Sequence, residues 1–306
     1  MPGLAASSRL SAFSDKEEGT TKQYKSYLCI LLAAAAWGCI GLFSRRLLNN
    51  GFSPANIVTI RNFGGLLVLS LIFALFDRSV FRVKAKHLPI FFGTGIVSVL
   101  LFTLCYFNAQ KLCSLAVSAI LLYTAPAMVA VMSAVLWKEP ITKKKLLALF
   151  LALLGCALVT GVFGGELSVT AKGALYGVGS AFFYALYSIF GRYGLRHYDA
   201  MTVVFWTFVF AGFGALLFAD LPALAAGLTD GAMLASAIGL VLVATVLPYL
   251  LYTRGLARVE SGKASIMASL EPVVASFVGI LAFGEPMSAS VFLGLACILT
   301  CVYILR

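Results

Sequence analysis

Between short polar clusters the chain runs through stretches of almost unbroken apolar character, near residues 27–44, 54–76, 88–110, 114–136, 145–163, 172–192, 200–218, 232–253, 262–283 and 287–305. Each approaches the roughly 20 residues that a helix needs to cross a hydrocarbon layer. The pattern therefore predicts an all-α membrane protein with ten transmembrane helices. Local chemistry marks their ends: Pro54 suits a first helical turn after Ser53, and Pro140 and Pro286 fall in short loops where helices stop. With loops this short, consecutive helices must be neighbours in one bundle.

Composition agrees. Apolar residues make up 61% of the 306 positions, charged residues 11%, and the mean hydropathy is +0.99. A soluble domain holds about 45–50% apolar and about 25% charged residues, so a water-soluble single-core enzyme is excluded. Residues 1–26, polar and without a helical stripe, read as a flexible cytoplasmic tail. Lys22 and Lys25 before an apolar run imitate a secretory signal, but that run has a counterpart later in the chain, so it is read as a retained helix. The seven cysteines show no CxxC spacing and lie mostly in apolar runs, where they act as small hydrophobes, not metal ligands.

The net charge of +11 could suggest nucleic acid as a partner. Its distribution argues otherwise. With the N-terminus inside, 18 of the 23 Lys and Arg fall on the cytoplasmic side, only Arg45, Arg46, Lys111 and Lys172 lie outside, and Arg61 is within a span. That asymmetry is the positive-inside signal of a multi-pass protein of the plasma or inner membrane, with both termini cytoplasmic. No nucleic-acid partner is expected.

An internal repeat organises the spans. Shifted by 146 positions, Tyr106 falls on Tyr252, Ile120 on Ile266, Pro126 on Pro272, Glu139 on Glu285 and Pro140 on Pro286; shifted by 147, Trp37, Phe43 and Arg45 fall on Tyr184, Phe190 and Arg192. Two repeats follow, 27–163 with helices one to five and 172–305 with helices six to ten. Five helices per repeat force the copies to cross the membrane in opposite senses. The Glu-Pro loops agree, with four lysines at 138–145 and none at 284–290. Inverted-topology repeats are the build of many secondary transporters, whose substrate site lies near the midplane between the halves.

These features, with Gly284-Glu285-Pro286, Lys138-Glu139-Pro140 and the Leu270-Glu271-Pro272-Val273 run, resemble the EamA-type transporters of the drug/metabolite transporter superfamily over about residues 27–305. The resemblance implies export of a small metabolite such as an amino acid and says little about which. The first copy departs from the pattern at Ala125, where the second has Glu271, so a carboxylate role belongs to the second half alone.

Glu271 is the one acidic residue deep in a predicted span, and Arg61 the one basic residue. Ionisable groups in hydrocarbon are costly and normally face the bundle interior. Glu271 is therefore a candidate to carry a proton or pair with a substrate ammonium, against the alternative of a structural carboxylate. Arg61 could clamp a substrate anion, neutralise Glu271 or snorkel to hold a loop. Pro126, Pro248 and Pro272 each delete a backbone donor and interrupt or kink their helices, the first and last at matching places, so freed carbonyls could face substrate. Trp37 and Tyr184, at equivalent mid-span positions, and Tyr106, Tyr123, Tyr187 and Tyr249 complete the candidate substrate-binding set.

No phosphate-binding loop, HExxH or aspartyl dyad is present: position 257 is Ala where a phosphate loop ending at Lys263 needs Gly. No cofactor, metal or enzymatic role is expected. The chain reads as a secondary active transporter of a small polar or amphipathic metabolite working by alternating access, with proton coupling through Glu271. Its expected partners are the substrate, the bilayer and protons, with a homo-oligomer left open. A passive channel or lipid scramblase is the alternative.

Overall fold

The computed structural model describes residues 23–113, 115–161, 170–284 and 287–305. The tail through residue 22, the second Glu-Pro pair at 285 and 286, and Arg306 lie outside the described residues. Among the described residues the chain is a helical bundle without a β-strand. A peptide group in hydrocarbon has no water to bond, and an isolated helix satisfies its own interior groups.

We label the helices α1 (Gln23–Asn49), α2 (Pro54–Phe76), α3 (Ala85–Leu112), α4 (Leu115–Leu122 and Ala125–Trp137), α5 (Lys143–Val159), α6 (Ala171–Gly194), α7 (Ala200–Leu216), α8 (Gly231–Leu256), α9 (Ser261–Ala268 and Glu271–Phe283) and α10 (Ala289–Leu305). Seven of them, α1, α2, α3, α4, α6, α8 and α9, are long and apolar enough to cross a membrane. The other three stretches expected to span hold shorter elements. Helices α5 and α10 have 17 residues each, and α7 passes the test only together with the short helix Leu221–Gly227, from which it turns by 105°.

Helix starts follow side-chain chemistry. Ser53 accepts the Asn56 N–H with Pro54 in the first turn, and Thr142, Thr170, Asp199 and Asp230 cap α5, α6, α7 and α8 in the same way. The paired ends of α4 and α9 show the repeat. Both stop in a left-handed residue, Lys138 at φ 57° and Gly284 at φ 67°, 146 positions apart.

Packing obeys the same symmetry. Helix α1 lies on α8 as α3 lies on α6, while α2 meets α7, α4 meets α9, and α5 meets α10. Neither half packs as a separate body, so most helices touch the opposite repeat. Small residues permit the closest crossings. A Cβ on Gly155 would stand 2.8 Å from the Gly294 carbonyl oxygen, and one on Gly294 would stand 2.7 Å from that of Gly155. Gly173 and Gly177 of α6 press on Cys113 and Leu121.

Lys138 occupies a conformation that costs a residue with a Cβ about 1–2 kcal/mol. Glycine meets no such cost but loses more backbone freedom on folding. Lys138→Gly is expected to stabilise the protein by about 0.5–1 kcal/mol, measured as a higher midpoint of detergent-phase thermal unfolding.

Candidate functional site

Both α4 and α9 are broken in mid-span. Adding 146 to each boundary of the two pieces of α4 gives the boundaries of the two pieces of α9. The breaks fall at Tyr123-Thr124 and Ser269-Leu270, and the second pieces open with Ala125-Pro126 and Glu271-Pro272. Neither proline has an N–H, so the carbonyls of Leu122 and Ala268 lack the usual donor four residues on. Glu271 stands in the first turn of its piece, where the partial positive charge of the helix terminus favours an anion.

Around these breaks lies an open cavity, with about 570 Å³ of empty space including its mouth, lined by Trp37, Ile40, Arg61, Phe102, Leu122, Tyr123, Ala125, Pro126, Tyr184, Tyr249, Ser265, Ala268, Ser269 and Glu271. It draws on α1, α2, α3, α4, α6, α8 and α9, and thus on both repeats. Arg61 and Glu271 are both half-buried and face it. No ion pair within 4 Å joins them, and among the described residues no donor hydrogen-bonds the Glu271 carboxylate. Arg61 is held through its Nε, which donates to Thr245 Oγ1 at 3.3 Å. That bond leaves the outer guanidinium nitrogens available to a ligand.

The aromatic residues form one wall. The Trp37 ring meets Tyr249 edge-on at 5.5 Å and Tyr252 at 5.4 Å, and Phe102 meets Tyr184 at 5.2 Å. Beyond them is a narrow cleft that shares Trp37, Phe102, Tyr184 and Tyr249 with the first cavity. Tyr187 lines only this second cavity; its hydroxyl shares a 2.8 Å hydrogen bond with Thr253, just as Tyr252 is bonded to Ser188 at 2.9 Å. Tyr106 lines neither and stacks on Phe102. A larger groove of about 830 Å³ between α2, α8 and Leu221–Gly227 is lined by apolar side chains and Thr59, many of them exposed on the outer surface. With no charged residue in its lining, it offers a polar ligand little.

Two features of the site are invisible in the apolar pattern. Helices α3 and α8 each contain a π-helical stretch, Gly93–Leu100 and Leu242–Val246. Ser98 Oγ donates to the Gly93 carbonyl and Thr245 Oγ1 to that of Leu240, two equivalent bonds that each reach back five residues. Such wide turns are frequent at functional sites, and here one of them presents Thr245 to Arg61. Pro248 follows the π stretch of α8, where the helix is already widened, and the span continues through it. The second feature is Glu139, which lies at the far end of the bundle from Gly284 in a cluster with Arg192 and Ser261.

The EamA-like transporter family matches residues 24–161 and again residues 171–306. An uncharacterized transporter of Archaeoglobus fulgidus is 31% identical over 90% of this chain and 94% of its own length. The uncharacterized inner membrane transporter YicL of Salmonella typhimurium is 24% identical over 94% and 96%, and the uncharacterized transporter YyaM of Bacillus subtilis 24% over 79% and 81%. One crystal structure superposes on 91% of this chain and 95% of its own with a TM-score of 0.75 at 19% identity, a likeness of fold.

Close contact between α1 and the second piece of α9 fixes Trp37 beside Glu271. A Cβ on Gly38 would stand 2.6 Å from Val274 Cβ and 2.8 Å from the Glu271 carbonyl oxygen, whereas one on Gly41 meets nothing within 4 Å. Gly38→Ala should therefore destabilise the folded chain by about 1–3 kcal/mol, the usual cost of overpacking. Gly41→Ala should leave it unchanged or slightly more stable. Thermal unfolding of the two variants side by side makes the comparison.

Proposed function

The chain belongs to the EamA-like transporter family, and from that premise we propose that this multi-pass membrane protein is a secondary active transporter. Its substrate is a small molecule carrying an anionic and a cationic group on an apolar body, as an amino acid does. The observation that carries this reading is the cavity where the two broken helices meet. It presents a guanidinium and a carboxylate that are not paired with each other, beside five aromatic side chains.

A permanently apolar cargo would leave both charged groups without partners in a site from which water is being removed, at a cost of several kcal/mol. A zwitterion supplies both. Arg61 offers two nitrogens to a carboxylate, Glu271 accepts from an ammonium, and Trp37, Tyr123, Tyr184 and Tyr249 pack against the body. The second piece of α4 directs its N-terminus at the same space, with Ala125 where α9 has Glu271, so the positive end of that half-helix faces the substrate anion.

Transport follows by rocking the two repeats about the cavity, with ten spans and the basic loops at the cytoplasmic end. Glu271 binds either the substrate ammonium or a proton. This exclusive occupancy couples the two gradients, and export is the direction that the family resemblance favours. Proteoliposome counterflow of labelled amino acids tests the proposal; flux that neither saturates nor shows counterflow would overturn it.

Glu271→Gln should abolish accumulation driven by a pH gradient while substrate exchange persists, because the amide binds no proton in this pH range. Arg61→Gln should raise the KM for carboxylate-bearing substrates about ten- to a hundredfold, the loss of one charge-assisted hydrogen bond of about 1.5–3 kcal/mol. It should leave the KM for the corresponding amides within a few-fold.

A further inference from the structure

Away from the cavity, the most heavily bonded carboxylate of the described chain is Glu139, in the loop between α4 and α5. It is only 7% exposed. Its Oε1 accepts from Arg192 Nη1 and from the Ser261 backbone N–H at 3.0 Å, its Oε2 accepts from the Gly262 N–H at 3.3 Å, and Lys145 Nζ lies 3.9 Å away. Lys145 in turn pairs with Glu260. Arg192 also donates to Ser261 Oγ and lies over the Trp137 ring, 5.1 Å from its centroid.

Every hydrogen bond to the Glu139 carboxylate comes from the other repeat. Arg192 ends α6, and Ser261 and Gly262 open α9. The first piece of α9 is eight residues long, about 12 Å at 1.5 Å per residue. Its far end lines the cavity through Ser265 and Ala268 and stops at the break, whose Ser269 also lines it. A short helical rod thus has a break at the cavity and a clasp at the end of the bundle. Helix α1 adds a second contact at the same end, where Lys263 Nζ donates to Tyr27 Oη at 2.7 Å.

We propose that Glu139 is the latch of a gate at this end of the transport path: closed when it holds Arg192 and the N-terminus of α9, open when it lets them go. A buried ion cluster suits this role because the desolvation cost of forming it nearly offsets the attraction gained. Both partners lie at a bundle end where water can take them back, so closed and open states are close in free energy. Burial of Leu or Met at the same place would bind the halves without such balance. The inference needs the two repeats to move apart, as alternating access does. It does not depend on the identity of the substrate or on proton coupling.

The test reads the accessibility of a cysteine placed at position 265 of the full chain in membrane vesicles of both orientations. The probe is a membrane-impermeant maleimide, and modification is quantified at that peptide by mass spectrometry, so the native cysteines do not interfere. With Ser265→Cys alone, labelling from the Glu139 side should be slow. Adding Glu139→Ala should speed it at least tenfold from that side and slow it from the opposite side. Glu139→Gln, which keeps an acceptor for the Ser261 and Gly262 N–H groups, and Arg192→Gln should give smaller changes in the same sense, and they decide the matter if the alanine variant does not fold. Unchanged labelling in the folded variants, or a rise from both sides alike, overturns the latch. Failure of counterflow with intact switching would instead count against the transport reading and leave the latch standing.

Discussion

A peptide group that loses its helical partner inside a hydrocarbon layer finds no water to replace it, and the cost is several kcal/mol. This constraint shapes the whole molecule. It requires helices throughout the spans, and it confines every departure from regular helix to places where protein or a polar cavity can receive the freed groups. The described chain makes five such departures in mid-span, the breaks in α4 and α9, the interruption of α1 at Cys39 and the π stretches in α3 and α8. The breaks in α4 and α9 line the first cavity, Cys39 lies between its lining residues Trp37 and Ile40, the π stretch of α3 lines the second through Ser98 and Val99, and that of α8 reaches the first through the bond from Arg61 to Thr245. The irregular backbone and the charged side chains are thus in the same place for the same reason.

The repeat turns that single site into an interface. Because α1 packs on α8 and α3 on α6, each wall of the cavity is built from both copies. At the centre the two copies differ in particular residues. Glu271 stands opposite Ala125, Arg61 has no basic partner in α7, and the left-handed cap is lysine in one copy and glycine in the other. A symmetrical frame thus carries a handful of unmatched residues at its centre.

Much of this was legible from residue order alone, for identifiable reasons. Apolar run length gave the helices, since burial in lipid leaves little freedom in composition, and the spacing from Pro126 to Glu139 repeated at Pro272 exposed the duplication. The span lengths were less legible: among the described residues α5 and α10 reach only 17 residues. Around the cavity, Trp37, Arg61, Tyr123, Tyr184, Tyr249 and Glu271 gather as a group. Tyr187 lies one turn beyond Tyr184 and bonds to Thr253, and Tyr106 stacks away on Phe102. Thr245 was missed because a hydroxyl in an apolar run normally bonds to its own helix; only the π stretch turns it toward an arginine 184 positions earlier. Glu139 was read as a repeat marker and a boundary of topology, since nothing local in Lys-Glu-Pro announces Arg192 or Ser261 as its partners.

The glycine crossing of α5 and α10 has a consequence for the surrounding lipid. Two adjacent helices of 17 residues extend about 25 Å at 1.5 Å per residue, against a hydrocarbon thickness of about 30 Å. A bilayer of that thickness would be drawn in by a few ångströms beside this pair, whereas α3 and α8, at 28 and 26 residues, are long enough to cross it without that adjustment. Different faces of the bundle therefore ask different things of the surrounding lipid. Lateral placement would favour thinner or more deformable patches on one side, and bilayer thickness becomes a variable that bears unequally on the two edges of the bundle.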